Sequence, residues 1–599
     1  MSDFLSQSIR YGSVRKENIM SVETIKAESN GLRGGLPIEL QEPTPNFSED
    51  VWQLLKFHGI YQQHDRDVRG RNNRIYNFMV RSKLPGGRLT AQQYLIHDAL
   101  ADQFGQGDLR FTTRQGIQLH GVIKGELQST LRALNAALVT TLGACGDVSR
   151  NVMSCPAPYG DAVRAQLQAT AEAIAQHLAP RTTAYHEIWL EGDDGKKTLQ
   201  QFPDATSYNT NGATRNGAHN GTGAATAEEP IYGKTYLPRK FKIALAFPGD
   251  NCTDILTNDI GLVGLFEEES DRLHGFNIYV GGGLGATHNN PDTFPLLAEP
   301  LGYISAEQII DVVAKIVLVQ RDHGDRENRK HARMKYLVHE WGIDQFRAKV
   351  EEYLGYAVEL LRPMPALQAD DHLGWQQQVN GQWFYGIYVE NGRARDNGDR
   401  RVRSGLRALV QRFQPTVHIT PQQNVLLSGF TTEQKAEVEQ ILADFGIPTA
   451  EDLTMVRRHS LACPALPTCG LALAEAERFL PDVIDQVERD VADLGLSKEV
   501  FTIRMTGCPN GCARPYVADI GLVGRSLGKY TLFLGGNPEG TRLNTLYQDL
   551  IPAEEVPGVI RQVLQVYRQT RQEGERVGDW ADRVGVELIQ ELSNSLVHA

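Results

Sequence analysis

The sequence predicts a mixed α/β fold of the α+β kind in which one unit occurs twice; related by a pseudo-twofold axis, two such units would leave a cleft between them. Three observations carry this. RFTTRQGIQLHG from Arg110 aligns without gaps on HITPQQNVLLSG from His418, and at the same offset Arg150 falls on Arg458 and SCPA from Ser154 on ACPA from Ala462. Farther on, FKIALAFPGDNC from Phe241 falls on FTIRMTGCPNGC from Phe501, DIGLVG occurs at Asp259 and again at Asp519, and FNIYVGGG answers YTLFLGGN. FKIALAFP, FNIYVGG, FTIRMT and YTLFLGG read as short strands from their alternation and β-branched content, with helices over 91–104, 161–177 and 433–445 between them.

Taken in order, the chain of 599 residues is too long for one core and implies several domains. Its 41% hydrophobic and 22% charged residues are ordinary globular usage. The leader, MSDFLSQSIRYGSVRKENIM, lacks the apolar stretch of a secretory signal, and no apolar run approaches the roughly 18 residues that cross a bilayer. A cytoplasmic protein is expected, with no membrane partner; a plastid address follows if the short leader is a targeting remnant. Between 193 and 230 the sequence turns to Asn, Gly, Thr and Ala with few large apolar residues, the composition of a surface insertion that cannot offset its ordering entropy. A formal net charge of −12 argues against nucleic acid as a general partner. The cation-dense run RDHGDRENRKHARMK, 321–335, reads as a solvated helix face or a patch for an acidic partner. VGGGLGA, 280–286, is too short a glycine cluster to mark a nucleotide loop, and its counterpart LGGNPEG in the second copy points to a shared turn.

The copies have diverged in their chemistry. Of seven cysteines, Cys463, Cys469, Cys508 and Cys512 fall in two loops of the second copy, and four thiolates in two loops make a cage. Zinc sites favour two to four residues between paired cysteines, which Cys508 and Cys512 satisfy and Cys463 and Cys469, with five between them, do not. Wider, unequal spacings suit an iron–sulfur cluster, so spacing favours the cluster and leaves zinc or an unligated set as alternatives. Cys145, Cys155 and Cys252 read as small buried hydrophobes. The first copy instead offers cations: Arg114, Gln118 and His120 stand where the second has Gln422, Leu426 and Ser428, and Lys242 where it has Thr502.

TGCPNGCARP with CPALPTCGLALAEAER resembles the cluster-binding signature of the sirohaem and 4Fe-4S sulfite and nitrite reductases, from about Ser29 to near the C-terminus. FHGIYQQHDRD, LRFTTRQGIQLHGV, TLGACGD, YLPRKFK and FNIYVGGG are most similar to the plant-type ferredoxin-dependent sulfite reductases. The resemblance implies a three-domain assembly around both cofactors: an N-terminal extension (1–49), a ferredoxin-like half-domain (50–125), a sirohaem and substrate domain (126–368), a second half-domain (369–435) and a cluster domain (436–599). It implies that Cys463, Cys469, Cys508 and Cys512 hold the cluster, with Cys512 also the axial ligand of the sirohaem. Arg81, Arg150, Lys240 and Lys242 match the family's substrate-binding quartet. Arg110, Arg114, Gln118, His120, Arg239, Asn510 and Arg514 match its cofactor-side residues, although His120 reads equally as a satisfied core histidine. Sirohaem is edged with carboxylates and sulfite is an oxyanion, so guanidinium and ammonium groups suit both.

The expected activity is six-electron reduction of sulfite to sulfide. No electron source is visible in the chain, which implies an external donor, reduced ferredoxin. Ferredoxin-dependent nitrite reductase, the haemoprotein subunit of an NADPH-dependent sulfite reductase, and a non-catalytic metal-stabilised scaffold are the alternatives. Lys242 where nitrite reductases typically carry Asn, and CPNGC where they carry CPNSC, favour sulfite.

Overall fold

The computed structural model describes residues 20–68, 74–190 and 229–597; all but the last two residues of the insertion expected at 193–230, and most of the leader, lie outside them. The two copies are visible strand by strand. In the first, Ile243–Ala246 runs parallel to Ile260–Phe266, which pairs antiparallel with Leu273–Val280, and that strand with Glu299–Ser305. In the second, Ile503–Thr506, Ile520–Ser526, Lys529–Leu534 and Thr545–Pro552 repeat the same order and senses. Ser460–Ala462 extends the second sheet in parallel beside Ile503–Thr506. Its counterpart in the first copy is reduced to two parallel bridges, Ser149 to Phe241 and Met153 to Ala244.

The repeat continues into the helices. Ile309–His323, Met334–Trp341 and Ile343–Leu354 follow the first sheet as Val556–Thr570, Val577–Val584 and Val586–Val597 follow the second. The last two helices of each copy are joined through one glycine, Gly342 at φ 73° and Gly585 at φ 83°, a left-handed hinge that side chains resist.

The two half-domains are tied by an exchange of edges. One sheet runs Ile60–His64, Tyr76–Arg81, Ile117–Val122, Leu109–Phe111 and ends on Arg393–Ala394 from the second copy. The other runs Gly374–Gln377, Trp383–Ile387, Val425–Phe430, Thr416–Ile419 and ends on Arg88–Leu89 from the first. Each half-domain thereby covers an edge of the other that would otherwise stand open.

Local signals explain the helix starts. Thr90 accepts from Gln93 N while Gln93 caps Thr90 in return, so the first expected helix runs Ala91–Gln103. Asp161 accepts from Arg164 N at 2.7 Å and opens Ala162–His177. The third starts two residues later than its pattern suggested, at Lys435, because Gln434 folds its side chain back onto Thr431 N. One apolar core joins the half-domains to the first copy; a second lies within Val456–Ile589, around Trp580. Among the described residues no helix is long and apolar enough to cross a membrane.

Candidate active site

Because Ser460–Ala462 and Ile503–Thr506 run parallel with Ala462 beside Met505, the loops leaving their ends begin side by side. One carries Cys463 and Cys469, the other Cys508 and Cys512. Leu473 and Ala474 both donate their N–H groups to Gly507 O, at 2.7 and 3.0 Å, and close the loops on each other. Gly507 N points at Cys463 Sγ and Asn510 Nδ2 at Cys508 Sγ, each at 3.4 Å. Burial, and next the charge of Cys512, push the Cys463 and Cys469 thiols up, and that of Cys508 up to about 11. Thiolates whose charges reach one another repel, and a cationic iron core would make such a set favourable. Cys463 and Cys508 are buried and Cys469 partly so, whereas Cys512 is exposed and lines the cleft.

The first copy braces these loops. Arg66 donates through Nη1 to Cys469 O at 3.1 Å and Ala472 O at 2.6 Å, and Thr113 Oγ1 donates to Cys512 O at 3.0 Å. Ala286 N donates to Pro509 O at 2.9 Å; a Cβ on the neighbouring Gly285 would stand 3.2 Å from Asn510 O. The glycine-rich run 280–286 therefore packs on the CPNGC turn, a task the sequence does not announce. Both glycine clusters do begin with the same turn, Gly281 N to Asp259 O and Gly535 N to Asp519 O.

Asp254 and Arg514 occupy equivalent places in the two copies, both left-handed, at φ 48° and 57°. They meet across the junction, Arg514 Nε to Asp254 Oδ2 at 2.6 Å, and Arg504 Nη1 reaches the same oxygen at 2.7 Å. Asp254→Asn strands two buried guanidinium groups and is expected to cost about 3–5 kcal/mol. Chemical denaturation of the full chain measures this, and an unchanged midpoint would show that the junction does not depend on the pair.

Arg114, Lys240, Lys242, Asn510, Cys512 and Arg514 line one cleft between the copies. Lys240 and Lys242 stand in the extended run just ahead of Ile243–Ala246, either side of Phe241, so both face it. Burial, with the Arg333 and Arg239 charges, holds the Lys240 ammonium down to about 7; burial, then Lys240 and Arg114, holds Lys242 well below its usual value. Burial and the charge of Arg150 hold Arg114 down to about 9. Arg81, Arg150 and Arg239 gather nearby, their charges converging on the phenol of Tyr61. Arg150 Nε donates to Gly146 O at 2.7 Å and Arg81 Nη1 to Cys145 Sγ at 2.8 Å. Among the described residues none of Arg81, Arg150, Arg239, Lys240 or Lys242 is ion-paired with a carboxylate. Cations crowded together without counter-charge are costly unless an anion joins them.

The remaining expected residues sit behind this front. Gln118 turns its amide oxygen to Arg81 Nε at 2.8 Å and its nitrogen to His120 Nε2 at 3.2 Å. His120 also meets Gln63 Oε1 at 3.2 Å, and burial, then the Arg393 and Arg110 charges, keeps it neutral, so it is hydrogen-bonded on both ring nitrogens. Arg110 is buried against Glu477 at 2.6 Å and Ala462 O at 2.9 Å, beneath the strand that leads to Cys463. Burial holds Arg110 down to about 10; for Glu477 burial raises the carboxyl, but Arg110 and Arg393 outweigh it and the net shift is downward.

Two readings of the sequence need correction. The run 321–335 is not a solvated face: Arg329 pairs with Asp147 at 2.8 Å, Arg333 with Asp259 at 2.9 Å, and Lys335 donates to Gly283 O and Gly285 O at 3.1 and 2.8 Å. Arg333 lines the cleft, and it was missed because spacing gave no sign that the chain turns inward after His323. Cys155 and Cys252 are not merely apolar fillers, since both lie against buried polar partners.

A convergent cationic cleft beside an exposed thiol of a four-cysteine set fits a carboxylate-edged tetrapyrrole next to an iron–sulfur cluster. Cys463, Cys469, Cys508 and Cys512 would hold the cluster, Cys512 reaching the sirohaem, and the unpaired cations its carboxylates.

Comparison with known proteins agrees. The family described as nitrite and sulphite reductase 4Fe-4S domain matches residues 172–357 and 456–597. The nitrite/sulfite reductase ferredoxin-like half domain matches 73–137 and 376–445. A sulfite reductase (ferredoxin) of Synechococcus elongatus is 44% identical over 97% of this chain and 92% of its own. A sulfite reductase (NADPH) hemoprotein beta-component of Geobacillus kaustophilus is 43% identical over 94% of this chain and 95% of its own. The solved NirA protein of Mycobacterium tuberculosis shares the fold, with a TM-score of 0.74, 23% identity and coverage of 94% of this chain and 96% of that one. Matched twice by each domain of the family and along nearly its whole length by sulfite reductases, the chain belongs to the nitrite and sulphite reductase family, oxidoreductases that work through sirohaem and a 4Fe-4S cluster.

Proposed function

We propose that the chain reduces sulfite to sulfide by six electrons, received singly from reduced ferredoxin. The observation that carries the substrate is the set of cations without carboxylate partners beside the exposed Cys512 thiol. Arg81, Arg150, Lys240 and Lys242 bind the sulfur oxyanion and stabilise the charge that builds on it. Arg114, Arg239, Asn510 and Arg514 flank the cofactor, and Gln118, His120 and Arg110 set the angle of their neighbours from behind. When bound, sirohaem and cluster supply the electron storage and transfer that no side chain can. Lys240, held near neutrality, is suited to release a proton from Nζ as each oxygen of the substrate departs.

A pH dependence follows. A lysine lowered to about 7 is charged below that value and neutral above it, and an anion binds the charged form. The bound anions raise Lys240 again, so the KM for sulfite is expected to climb as pH rises beyond 7, by at most about tenfold per unit for one proton. Lys240→Arg, which stays charged, should flatten the climb. A KM that is flat from pH 7 to 9 in the parent chain would contradict this role for Lys240.

TLGACGD, CARPY and FNIYVGGG, together with the similarity to the Synechococcus elongatus enzyme, support ferredoxin. The similarity to hemoprotein beta-components keeps an NADPH-linked flavoprotein as the second reading. Turnover with reduced ferredoxin is compared with turnover on NADPH plus flavoprotein, each with sulfite and with nitrite. Ferredoxin with sulfite is expected to be fastest, and binding of that acidic donor to weaken steeply with salt. Turnover confined to the flavoprotein, or an affinity indifferent to salt, would overturn the donor assignment.

A further inference from the structure

Cys155, Asp250, Cys252 and His372 each place one donor atom within 4.8 Å of the others, and all four are buried. Cys155 Sγ donates to Asp250 Oδ2 at 2.7 Å, and His372 Nε2 meets the same oxygen at 2.8 Å. The gap-free alignments of the two copies place Cys155 on Cys463 and Cys252 on Cys512. Two of the four cluster ligands therefore have counterparts that the first copy also brings together. The other two donors are supplied differently: Asp250 from the loop that holds Cys252, and His372 from the link between the copies.

We propose that these four side chains form a second metal site, binding one divalent cation of the zinc class. Two thiolates, an imidazole and a carboxylate are a tetrahedral zinc donor set, and calcium or magnesium would require oxygens. Ligand atoms on one zinc stand roughly 3.3–3.8 Å apart, given bonds of about 2.0–2.3 Å. The present contacts need only small side-chain rotations to open that far, whereas a cubane needs a wider cage of thiolates. Two thiolates and a carboxylate on a doubly charged ion leave a single negative charge, and the Arg164 guanidinium, which pairs with Asp161 at 2.6 Å, also lies 4.0 Å from Asp250.

The surroundings resemble an outer shell. His372 Nδ1 is buried without a hydrogen-bond partner, with the exposed Asp370 carboxylate 3.7 Å away, where a ligating histidine commonly finds its second partner. Cys252 N donates to Asp250 Oδ1 at 3.1 Å and Gln422 Nε2 donates to Cys252 O at 3.0 Å, which fixes the loop. Phe384, Leu426 and Tyr159 pack around the set and keep water out. The site would pin the first copy to the link that leads into the second.

Zinc and iron are counted in the full-chain holoenzyme, purified without chelator under reducing conditions and again after incubation with Zn2+. About one zinc per chain is expected beyond the cofactor iron, with a zinc K-edge spectrum showing two sulfur neighbours. Cys155→Ser with Cys252→Ser should remove that zinc while leaving the cofactor iron and the visible absorption in place. His372→Gln, a milder change should the serine pair fail to fold, should weaken Zn2+ binding by about tenfold or more. Holoenzyme that takes up no zinc, a disulfide joining Cys155 to Cys252, or zinc retained in both variants would overturn the proposal. None of these results bears on sulfite turnover, so the site and the proposed function fail independently.

Discussion

A Cys508→Ser chain is expected to reduce no sulfite and to be purified without iron–sulfur absorption. Cys508 is buried in the turn that Gly507 and Asn510 organise, with Asn510 Nδ2 at 3.4 Å from its sulfur. A serine there keeps the volume but offers a hydroxyl that gives up its proton far less readily than a thiol, and iron clusters are held by thiolates. In the proposed cluster site the charges of Cys463, Cys469, Cys508 and Cys512 act on one another, and loss of one of the four sulfurs would remove the core that offsets their repulsion. Circular dichroism separates this from misfolding, because the surrounding apolar core and the Asp254 junction remain. A variant with normal iron content and turnover would show that Cys508 is not a ligand.

The second large effect is expected at Lys242. Removing its ammonium in Lys242→Asn takes one positive charge from a cleft where Lys240, Arg114 and Arg333 remain. A dianion loses more from that than a monoanion does. With a unit pair at about 4 Å worth roughly 4 kcal/mol at an effective dielectric of 20, a shift of about tenfold or more in kcat/KM away from sulfite and toward nitrite is expected. Steady-state kinetics on both acceptors with one donor measures it. An unchanged ratio would remove Lys242 as the residue that discriminates between them.

The sequence exposes the duplication because both copies keep the same strand order, and insertions fall outside the aligned blocks. The alignments also carry the cysteine cage and the paired lysines, since alternation about Phe241 fixes their common face. The exchange of edge strands was not legible: Arg88–Leu89 and Arg393–Ala394 are two residues each, too short to show periodicity, and what recruits them is an open edge on the other copy. Arg66 and Arg333 escaped notice for a related reason. An arginine in a loop looks solvated until a distant backbone, here Cys469 O, or a carboxylate, here Asp259, is brought to it. Cys155 and Cys252 are buried in an apolar cluster as their sequence suggests, and what was not legible is that the fold also brings Asp250 and His372 against them.

Arg110 shows how a residue's place can differ from what a motif suggests. Its guanidinium is spent on Glu477 and Ala462 O, so it acts on the cluster loop through the strand beneath it. Among the described residues Arg81, Arg150 and Arg239 near Tyr61, and Arg114, Lys240 and Lys242 in the cleft, have no carboxylate partner, whereas Arg333 and Arg514 in the same cleft are paired with Asp259 and Asp254.

The most direct measurement is the iron content and visible spectrum of the purified full chain, taken before and after sulfite is added. About five irons per chain, with strong visible bands that shift on adding sulfite, are expected if the sulfurs of the second copy hold a cluster joined to a tetrapyrrole beside the cations of the first. A colourless, iron-free chain after expression with sirohaem and iron supplied would contradict it.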